Sequence, residues 1–564
     1  IGNIQSTQMI VPALNDPVSS AYPIWAHSHW VWLQSHQSNQ TNDENLVDSY
    51  LNHGIPVGAT NIDSQWATAD NTFVFNTEKF PDPQGMVEFF HQRGVRIILW
   101  ATSLLNKDAS TYGYANAQGY FLRNVLNETG VVHWWHGDGS FIDFTNPQAL
   151  HWWQKQMDNV LSIGVDGFKC DGTDPYVFEL GEAKGYQGIV SEREYADQYY
   201  GTFFNYSRVW NDDALIMSRP VDSFGLPSGR LFWQFSPKYV MFSGWVGDQD
   251  PNFEGLQLAL QNMFHSAWDG YLAFSSDTGG YRGGGPPPYG RTKTLFIRWM
   301  QMSTFTSYIE NGGNGQHEPW MYDEQTLEIY RNFVVIHYQL IPYLLETGNK
   351  AWQAGNQSIM RPIAKRTIFK PHTFLYMLGE AILVAPMLNN ATERTIHFPT
   401  AEQTGGVHAW IDWWDRNQVF KAGEKVQSYK VPLDRYPVFI KQATMLALNT
   451  SNHLPVLYRQ KEERQREDEL TVLIMHPGAN FEKEILVYHP KPLPTQAISC
   501  VIATDNVMRI KVSAATRPYQ IHFLVYGVTI QQVEGGQAFH QTNDGATHFQ
   551  IDSEFGNILE FNLR

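Results

Sequence analysis

Short apolar runs and amphipathic stretches alternate along the first 345 residues of the chain. The apolar runs are rich in β-branched and aromatic residues and predict eight strands, at 22–30, 55–63, 95–103, 167–171, 215–219, 240–245, 272–276 and 304–310. Stretches with helical periodicity lie between them, at 43–53, 82–93, 147–163, 257–268 and 291–302. This alternation predicts an α/β fold, a (β/α)8 TIM barrel over residues 21–345. Such a barrel carries its active site at the C-terminal ends of its strands.

The pattern changes at three places along the chain. Two longer connections, at 104–140 and 179–211, interrupt the barrel pattern and are predicted to wall the active-site mouth. Beyond residue 345, prolines separate short alternating segments, which predicts two all-β sandwich domains, at 346–447 and 448–564. Residues 1–20 are predicted to be an N-terminal extension, and the mixed-charge stretch 461–469 a solvated linker.

Composition excludes several classes of protein. The net charge is −16 and no basic stripe occurs, so nucleic acid is not an expected partner. No apolar run reaches the roughly 20 residues of a membrane span. The two cysteines, Cys170 and Cys500, cannot form a disulfide framework, and no Cys/His spacing is typical of a metal site. The 19 Trp residues are compatible with a carbohydrate partner, although most Trp side chains in any protein fill the core.

Six Asn-X-Ser/Thr sequons favour the secretory route only mildly, because a chain rich in Asn contains several by chance. They leave open N-glycans and a secreted or lysosomal location. The chain starts at Ile1 without Met, which is typical of a processed form. The sequons lie at Asn39, Asn127, Asn205, Asn356, Asn390 and Asn449.

Asp171 ends the predicted fourth strand, and Lys169 precedes it by two residues. Side chains two apart in a strand point to the same face, so a cation would lie near the carboxyl group. A nearby cation keeps a carboxylate ionised, as a nucleophile requires. A purely structural Asp–Lys pair inside the barrel fits the same spacing equally well.

Asp248 follows the predicted sixth strand, just after Trp245 and Gly247. A carboxylic acid beside an apolar wall such as Trp245 has a raised pKa and can act as a general acid. A loop Asp that caps the next helix is the alternative. Asp63 and Asp277 are further acids at the ends of predicted strands, and Asp277 is equally ambiguous.

Taken in order, the motifs along the chain resemble glycoside hydrolase family 31. The nucleophile segment of that family resembles residues 167–171, and its acid/base segment resembles Gly247-Asp248. Further matching segments lie at 62–66, 80–83, 135–137, 141–145, 277–281, 298–301 and 379–386.

The resemblance implies a retaining, exo-acting α-glycosidase that cleaves a terminal α-glucoside or α-galactoside without metal or cofactor. Asp171 would be the nucleophile and Asp248 the general acid/base, with carboxyl groups about 5–5.5 Å apart. The residues expected to line or brace the sugar pocket are Asp63, Trp66, Trp135, Lys169, Trp245, Asp277 and Arg298.

The chain departs from the family pattern at the sugar-binding positions. Lys169 replaces the family's Trp at the nucleophile, and Glu310-Asn311-Gly312 stands where the family has Arg-Asn-His. Glu310 and His317 are the expected substitutes, since sugar hydroxyls need hydrogen-bond partners. These changes predict a pocket that recognises an axial hydroxyl or binds an unusual terminal sugar.

The departures also leave other interpretations open. A carbohydrate-binding protein without turnover and a transglycosidase share the same barrel. Family members generally carry a large β-sandwich before the barrel, whereas about twenty residues of this sequence precede the first predicted strand. The sandwich is expected to have been removed, to form a separate chain, or to be dispensed with in this branch. A homo-oligomer is also left open.

Overall fold

The computed structural model describes residues 20–563, apart from 224–232, 284–289, 316, 356, 367–373, 450–468, 478–479, 489–494, 503–506, 514–519, 529, 534–538 and 553–557. The predicted extension at 1–20 (except residue 20), the charged stretch 461–468 and the sequon Asn356 lie outside these residues.

Eight parallel strands form the barrel, which confirms the predicted fold class. They are β1 (His29–Leu33), β2 (Ala59–Ile62), β3 (Arg96–Ala101), β4 (Gly167–Cys170), β5 (Leu215–Ser218), β6 (Ser243–Trp245), β7 (Phe274–Ser275) and β8 (Ile309–Asn311). Each strand from β1 to β6 pairs with the next along the chain, and β8 pairs with β1. A parallel bridge between Asp277 and Glu310 closes the ring. The carboxyl ends of all eight strands therefore face one mouth.

Two of the predicted strands are displaced. The first was expected at 22–30, but Ile24–His27 is a 3-10 helix that follows Pro23, and β1 begins only at His29. The eighth was expected from residue 304, but Thr304 still belongs to a helix, where its hydroxyl bonds the Met300 carbonyl. In both places a buried apolar run lacks a clear periodicity, so its composition alone does not separate a strand from a helical turn.

Helices surround the barrel and begin at side-chain caps. They are α1 (Gln40–Asn52), α2 (Pro83–Gln92), α3 (Pro147–Leu161), α4 (Glu192–Trp210), α5 (Phe253–Trp268), α6 (Lys293–Thr304) and α7 (Glu324–Ala354). The stretch 179–211, which was predicted to be one long connection, contains α4. Ser191 and Glu194 start α4 with a reciprocal capping box. No helix within the described ranges is long and apolar enough to cross a membrane.

Two loop structures lie at the mouth of the barrel. After β3, the strands Leu104–Asn106, Val132–Trp134 and Gly137–Phe141 form a small antiparallel sheet beside the helix Tyr112–Ala117. After β4, the 3-10 helix Asp174–Leu180 leads into a hairpin of Lys184–Gly185 and Gly188–Ile189. Between β5 and β6 lie Val221–Asp222, Trp233–Gln234 and the 3-10 helix Lys238–Val240, and Pro319–Met321 precedes α7.

The remaining residues form two all-β units. The first has a six-stranded sheet and a two-stranded sheet around one apolar core. Its strands are Met360–Pro362, Tyr376–Leu378, Ile382–Val384, Val438–Lys441, Ala409–Asp412 and Val419–Lys421, with Glu393–His397 and Lys425–Lys430; Glu402–Thr404 is a 3-10 helix.

The second all-β unit is a sandwich of two five-stranded sheets that share a core. One sheet contains Thr444–Asn449, Glu469–Met475, Gln520–Tyr526, Thr547–Asp552 and Phe539–Gln541. The other contains Phe481–Val487, Gln496–Ile502, Val507–Val512, Ile558–Leu563 and Ile530–Val533. The boundary at 345/346 falls inside α7, and the boundary at 447/448 falls inside the strand Thr444–Asn449.

Candidate active site

Three donors converge on the carboxylate of Asp171, the first residue beyond β4. Oδ1 accepts from the Gly172 N–H at 2.7 Å and lies 3.1 Å from Nη2 of Arg219. Oδ2 accepts from the indole N–H of Trp100 at 3.1 Å. Trp100 and Arg219 stand at the ends of the neighbouring strands β3 and β5, so the barrel itself fixes this geometry.

Arg219 joins Asp171 to Asp248. Nη2 of Arg219, which contacts Asp171, lies 3.3 Å from Oδ1 of Asp248, while Nη1 lies 2.6 Å from Oδ2 of the fully buried Asp222. Burial alone would lower the pKa of the guanidinium, but the three carboxylates outweigh it and raise that pKa. One cation therefore holds two carboxyl groups at a shared nitrogen.

The carboxyl group of Asp248 has a raised pKa. Its burial is the main cause, and the negative charge of Asp171 adds to it, whereas Arg219 offsets part of the shift. Asp171 and Asp248 thus sit in different environments: Asp171 receives several donors, whereas Asp248 contacts the Arg219 cation and has an elevated pKa. Such a pair can divide the roles of nucleophile and proton donor.

Lys169 and Glu310 form a buried ion pair in the site, here named the floor. Nζ of Lys169 lies 3.1 Å from Oε1 of Glu310, and it stands over the rings of Trp32 and Trp245 at 4.1 and 4.7 Å. Burial would lower the pKa of Lys169, but the surrounding carboxylates, Glu310 foremost, raise it. Lys169 therefore pairs with Glu310, and the cation in contact with Asp171 is Arg219.

Asp63 and Asp277 are buried acids beside this floor. Burial raises the pKa of Asp63 to about 6, although Lys169 opposes the shift and the backbone N–H of Ser35 donates to its carboxylate at 3.0 Å. Burial, together with Glu310, raises the pKa of Asp277 well above its usual range. Neither oxygen of Asp277, nor the indole N–H of Trp32, has a hydrogen-bond partner among the residues that the structure describes. Buried polar groups usually have a hydrogen-bond partner, so these atoms are available to a ligand.

Trp66 and Trp135 occupy very different positions. Trp66 is buried and donates its indole N–H to the carbonyl of Trp100 at 2.7 Å, so it supports the residue that contacts Asp171. Trp135 lies on the small sheet at the mouth with 47% of its surface exposed, and its ring stands 6.1 Å from that of Tyr176. An exposed aromatic face at a barrel mouth is available to a ligand.

Comparison with known proteins decides the family. The model for the glycosyl hydrolases family 31 TIM-barrel domain matches residues 19–347, and that for the family 31 C-terminal domain matches residues 356–446. The chain belongs to glycoside hydrolase family 31.

Curated family 31 relatives are distant. An alpha-xylosidase of Emericella nidulans is 23% identical over 499 residues, which cover 86% of this chain and 60% of that protein. An isomaltosyltransferase of Sporosarcina globispora is 24% identical over 485 residues, covering 76% of this chain and 41% of that protein. The chain spans roughly half the length of the curated relatives it matches.

Solved structures share the fold at low identity. A family 31 dextranase of Flavobacterium johnsoniae, solved in complex with glucose, superposes with a TM-score of 0.79 at 17% identity. The match covers 97% of this chain and 71% of the dextranase chain. The fold of that dextranase therefore extends over nearly all of this chain.

Arg298 does not lie with the other candidate site residues, although it was expected to line or brace the sugar pocket. Its guanidinium donates to the carbonyls of Val431, Pro432 and Arg435, at 2.7, 3.3 and 2.9 Å, and to the side chain of Gln301. A buried guanidinium needs several acceptors, and the first all-β unit provides them. Arg298 thus fastens that unit to α6.

Glu310 and His317 are also engaged elsewhere. Oε1 of Glu310 contacts Lys169, and Oε2 accepts from the hydroxyl of Tyr308 at 3.3 Å. Nε2 of His317 lies 2.7 Å from Nη2 of Arg291, which can only donate, so Nδ1 carries the proton toward the Thr278 carbonyl at 3.1 Å. Burial, reinforced by Arg291, lowers the pKa of His317 well below its usual value. Both side chains therefore already have hydrogen-bond partners within the fold.

Sequence analysis missed Arg219, Trp100 and Asp222. Arg219 closes the predicted fifth strand, so its position at a strand end is the same signal that marks the acidic candidates. Trp100 lies inside the predicted third strand, where a large apolar residue is expected, so its contact with Asp171 has no local signal.

Proposed function

We propose that the protein is a retaining, exo-acting α-glycosidase that releases a terminal α-linked hexose by double displacement. The observation that carries the proposal is the single nitrogen, Nη2 of Arg219, that contacts both Asp171 and Asp248. A retaining mechanism needs two carboxyl groups close enough to act on one anomeric carbon.

In the first step, a carboxylate oxygen of Asp171 attacks the anomeric carbon. The bond from that carbon to the leaving oxygen breaks, and protonated Asp248 gives its proton to that oxygen. In the second step, Asp248 takes a proton from water, and the water oxygen displaces Asp171 from the anomeric carbon. The raised pKa of Asp248 suits the first step, because the acid must be protonated when the leaving group departs.

The terminal sugar would be held by the groups around the floor. The carboxyl of Asp63 and the oxygens of Asp277, which lack a partner within the described residues, are suited to sugar hydroxyls, and Trp32 offers an indole N–H. The buried charges of Lys169 and Glu310 lie beside these groups. On this basis the substrate is an α-glucoside or an α-galactoside, and an axial hydroxyl directed at the floor would favour the galactoside.

A panel of aryl α-glycosides tests the reaction. We expect turnover of at least one hexoside, release of the α-anomer as first product by NMR, and loss of activity in Asp171→Asn. Asp248→Ala should lose activity mainly toward poor leaving groups, since an activated aryl group departs without a proton. Release of the β-anomer would contradict the mechanism. Sugar binding without turnover of any substrate would support the alternative of a carbohydrate-binding protein.

Transfer to an acceptor sugar is the second candidate. Trp135 leaves an aromatic face exposed at the mouth, where an acceptor could stack and compete with water for the glycosyl-enzyme. The similarity to the isomaltosyltransferase of Sporosarcina globispora supports keeping transfer as a candidate. Product analysis with and without an added disaccharide acceptor separates transfer from hydrolysis.

A further inference from the structure

A histidine–aspartate pair lies at the barrel mouth, beside the carboxylates of the active site. Nδ1 of His136, in the turn between Trp134 and Gly137, lies 2.9 Å from Oδ2 of Asp70, in the loop after β2. The two side chains are 27% and 13% exposed. Asp70 occupies Nδ1, whereas Nε2 of His136 has no hydrogen-bond partner among the described residues. One ring nitrogen of His136 is therefore available to a ligand.

The loop that carries Asp70 has a strained backbone. Asn71 and Phe73 have φ values of 62° and 54°, in the left-handed region that a bulky residue such as Phe rarely adopts. The side chain of Asn71 fastens the loop, because its amide oxygen accepts from the Thr102 N–H at 2.8 Å and its amide nitrogen donates to the Thr102 hydroxyl at 2.7 Å. Strain of this kind persists where the surrounding structure fixes the backbone, and it is common at active sites. The fold thus holds Asp70, and with it the imidazole of His136, in one position.

His136 lies one side chain away from the proposed nucleophile. Its ring centroid is 5.5 Å from that of Trp100, whose indole N–H donates to Asp171. Burial alone would lower the pKa of His136, but the hydrogen bond and charge of Asp70, together with the charges of Asp63 and Asp171, outweigh burial and raise this pKa. The three carboxylates favour the imidazolium form, in which Nε2 carries a proton that it can donate.

The surroundings of Nε2 indicate what binds there. The exposed ring of Trp135 has its centroid 6.3 Å from that of His136. An aromatic face can pack against the apolar face of a sugar ring, and a charged N–H donor can bond its hydroxyls. The terminal sugar fills the pocket, so the group linked to it leaves through the mouth.

We propose that His136 is a specificity-determining residue whose imidazolium donates from Nε2 to a hydroxyl of a second sugar, so that the substrate is an α-linked di- or oligosaccharide. This inference rests on the proposed glycosidase function. Trp135 would pack against the same second sugar, and Asp70 would act through His136 as a positioning residue.

A methyl α-glycoside and an α-linked disaccharide test the proposal, both with the terminal sugar preferred in the aryl panel. Both leaving groups are alcohols, so the ratio of kcat/KM for the disaccharide to kcat/KM for the methyl glycoside reports the contacts of the second sugar. For His136→Ala we expect this ratio to fall at least about tenfold, mainly through a higher KM for the disaccharide, because a hydrogen bond from a charged donor is lost. An unchanged ratio overturns the inference and leaves the proposed hydrolysis intact.

His133→Ala is the matched control. His133 lies on the same small sheet and also pairs with a carboxylate, that of Asp138 at 2.8 Å, but its side chain is 81% exposed. It alternates with the buried Val132 and Trp134 along its strand, so it points to the opposite face of the sheet. This variant should keep the wild-type ratio, and thermal unfolding checks that both variants fold. A loss as large as that in His136→Ala overturns the inference.

The pH dependence of the same ratio distinguishes donation by the imidazolium from a structural role. Titration of Asp248 affects both substrates alike and cancels in the ratio. In the wild type the ratio should fall as pH rises through the pKa of His136, because the proton on Nε2 is lost. Asp70→Asn removes a carboxylate that raises this pKa, so the fall should move to lower pH. A ratio that is independent of pH in the wild type, or a fall that does not move to lower pH in Asp70→Asn, overturns the inference.

Failure of the proposed function has a different signature. If no aryl glycoside, methyl glycoside or disaccharide is cleaved, that function fails. Titration calorimetry with an α-glucosyl and an α-galactosyl disaccharide, below the pKa of His136, then tests this residue alone. Binding of either disaccharide that His136→Ala weakens at least about tenfold supports the inference. Equal affinity in the wild type and the variant, or no binding to either, overturns it.

Discussion

The guanidinium of Arg219 contacts three carboxyl groups, those of Asp171, Asp222 and Asp248, and its removal should move the alkaline limb of the pH–activity profile. Arg219→Met alone would leave the buried Asp222 without its 2.6 Å contact to this cation. Breaking a buried pair in that way costs about 3–5 kcal/mol of stability. The double variant Arg219→Met/Asp222→Asn avoids this cost, because both members of the pair become neutral.

The contact distance sets the size of the effect. Two unit charges 3.3 Å apart, the separation of Nη2 of Arg219 from Oδ1 of Asp248, interact by about 5 kcal/mol at an effective dielectric constant of about 20. One pKa unit corresponds to about 1.4 kcal/mol, so the upper limit exceeds three units. Asp248 is partly exposed and Lys169 remains nearby, so we expect a rise of at least about one unit in the pKa of Asp248.

The assay is kcat/KM as a function of pH with an aryl α-glycoside. In the proposed mechanism Asp248 acts in its protonated form, so activity should fall as pH rises through its pKa. Removing a cation that lowers this pKa therefore shifts the descending limb to higher pH. Activity at the optimum should fall by about 10²–10³, as when a donor that stabilises developing charge is lost.

Asp222→Asn alone is the control and should keep the wild-type limb within a few tenths of a unit. A descending limb that stays in place in the double variant, or moves to lower pH, would refute the view that Arg219 sets the protonation of Asp248.

Three further substitutions test the rest of the site. Asp277→Asn should leave thermal stability nearly unchanged, because the raised pKa of Asp277 favours the neutral acid. It should lower kcat/KM about 10–100-fold through poorer hydrogen bonds to the sugar. A variant that is fully active in steady-state kinetics would show that Asp277 does not bind the sugar. Lys169→Met should destabilise the fold by about 3–5 kcal/mol in denaturant unfolding, because it leaves the buried carboxylate of Glu310 without its cation. The double variant Lys169→Met/Glu310→Gln should recover most of this loss. Equal stability of the two variants would contradict a buried ion pair. Arg298→Met should lower the free energy of unfolding by about 3 kcal/mol or more, because hydrogen bonds to charged donors contribute about 1.5–3 kcal/mol each. KM should change less than twofold. A tenfold rise in KM at an unchanged melting temperature would instead show that Arg298 belongs to the sugar pocket.

Alternation of apolar runs and helical stretches was sufficient to predict the barrel, because strands buried on both faces and amphipathic helices leave strong local patterns. It also placed Asp63, Asp171, Asp248 and Asp277 at one mouth, since parallel strands end on one face. The 3-10 helix at Ile24–His27 was missed because a short buried apolar run does not distinguish a strand from a helical turn.

The partners of the site residues could not be predicted in the same way. Arg298 and Arg219 are both buried arginines near the barrel, but one reaches carbonyls in another unit and the other reaches carboxylates across two strands. Lys169 sits two residues from Asp171, yet it pairs with Glu310, which is 141 residues away in the chain. Such contacts depend on tertiary packing, and spacing in the sequence does not encode them.

The long helix α7 links the barrel to the two β units beyond it. Within this helix, the hydroxyl of Tyr343 donates to the carbonyl of Leu378 at 2.7 Å, and the carboxylate of Glu346 accepts from the backbone N–H of Leu486 at 3.0 Å. One continuous helix is thus shared by three units of the fold. A truncated chain that stops at residue 345 would end inside α7 and expose the apolar face of that helix to water. Expression work should therefore retain the chain through both β units.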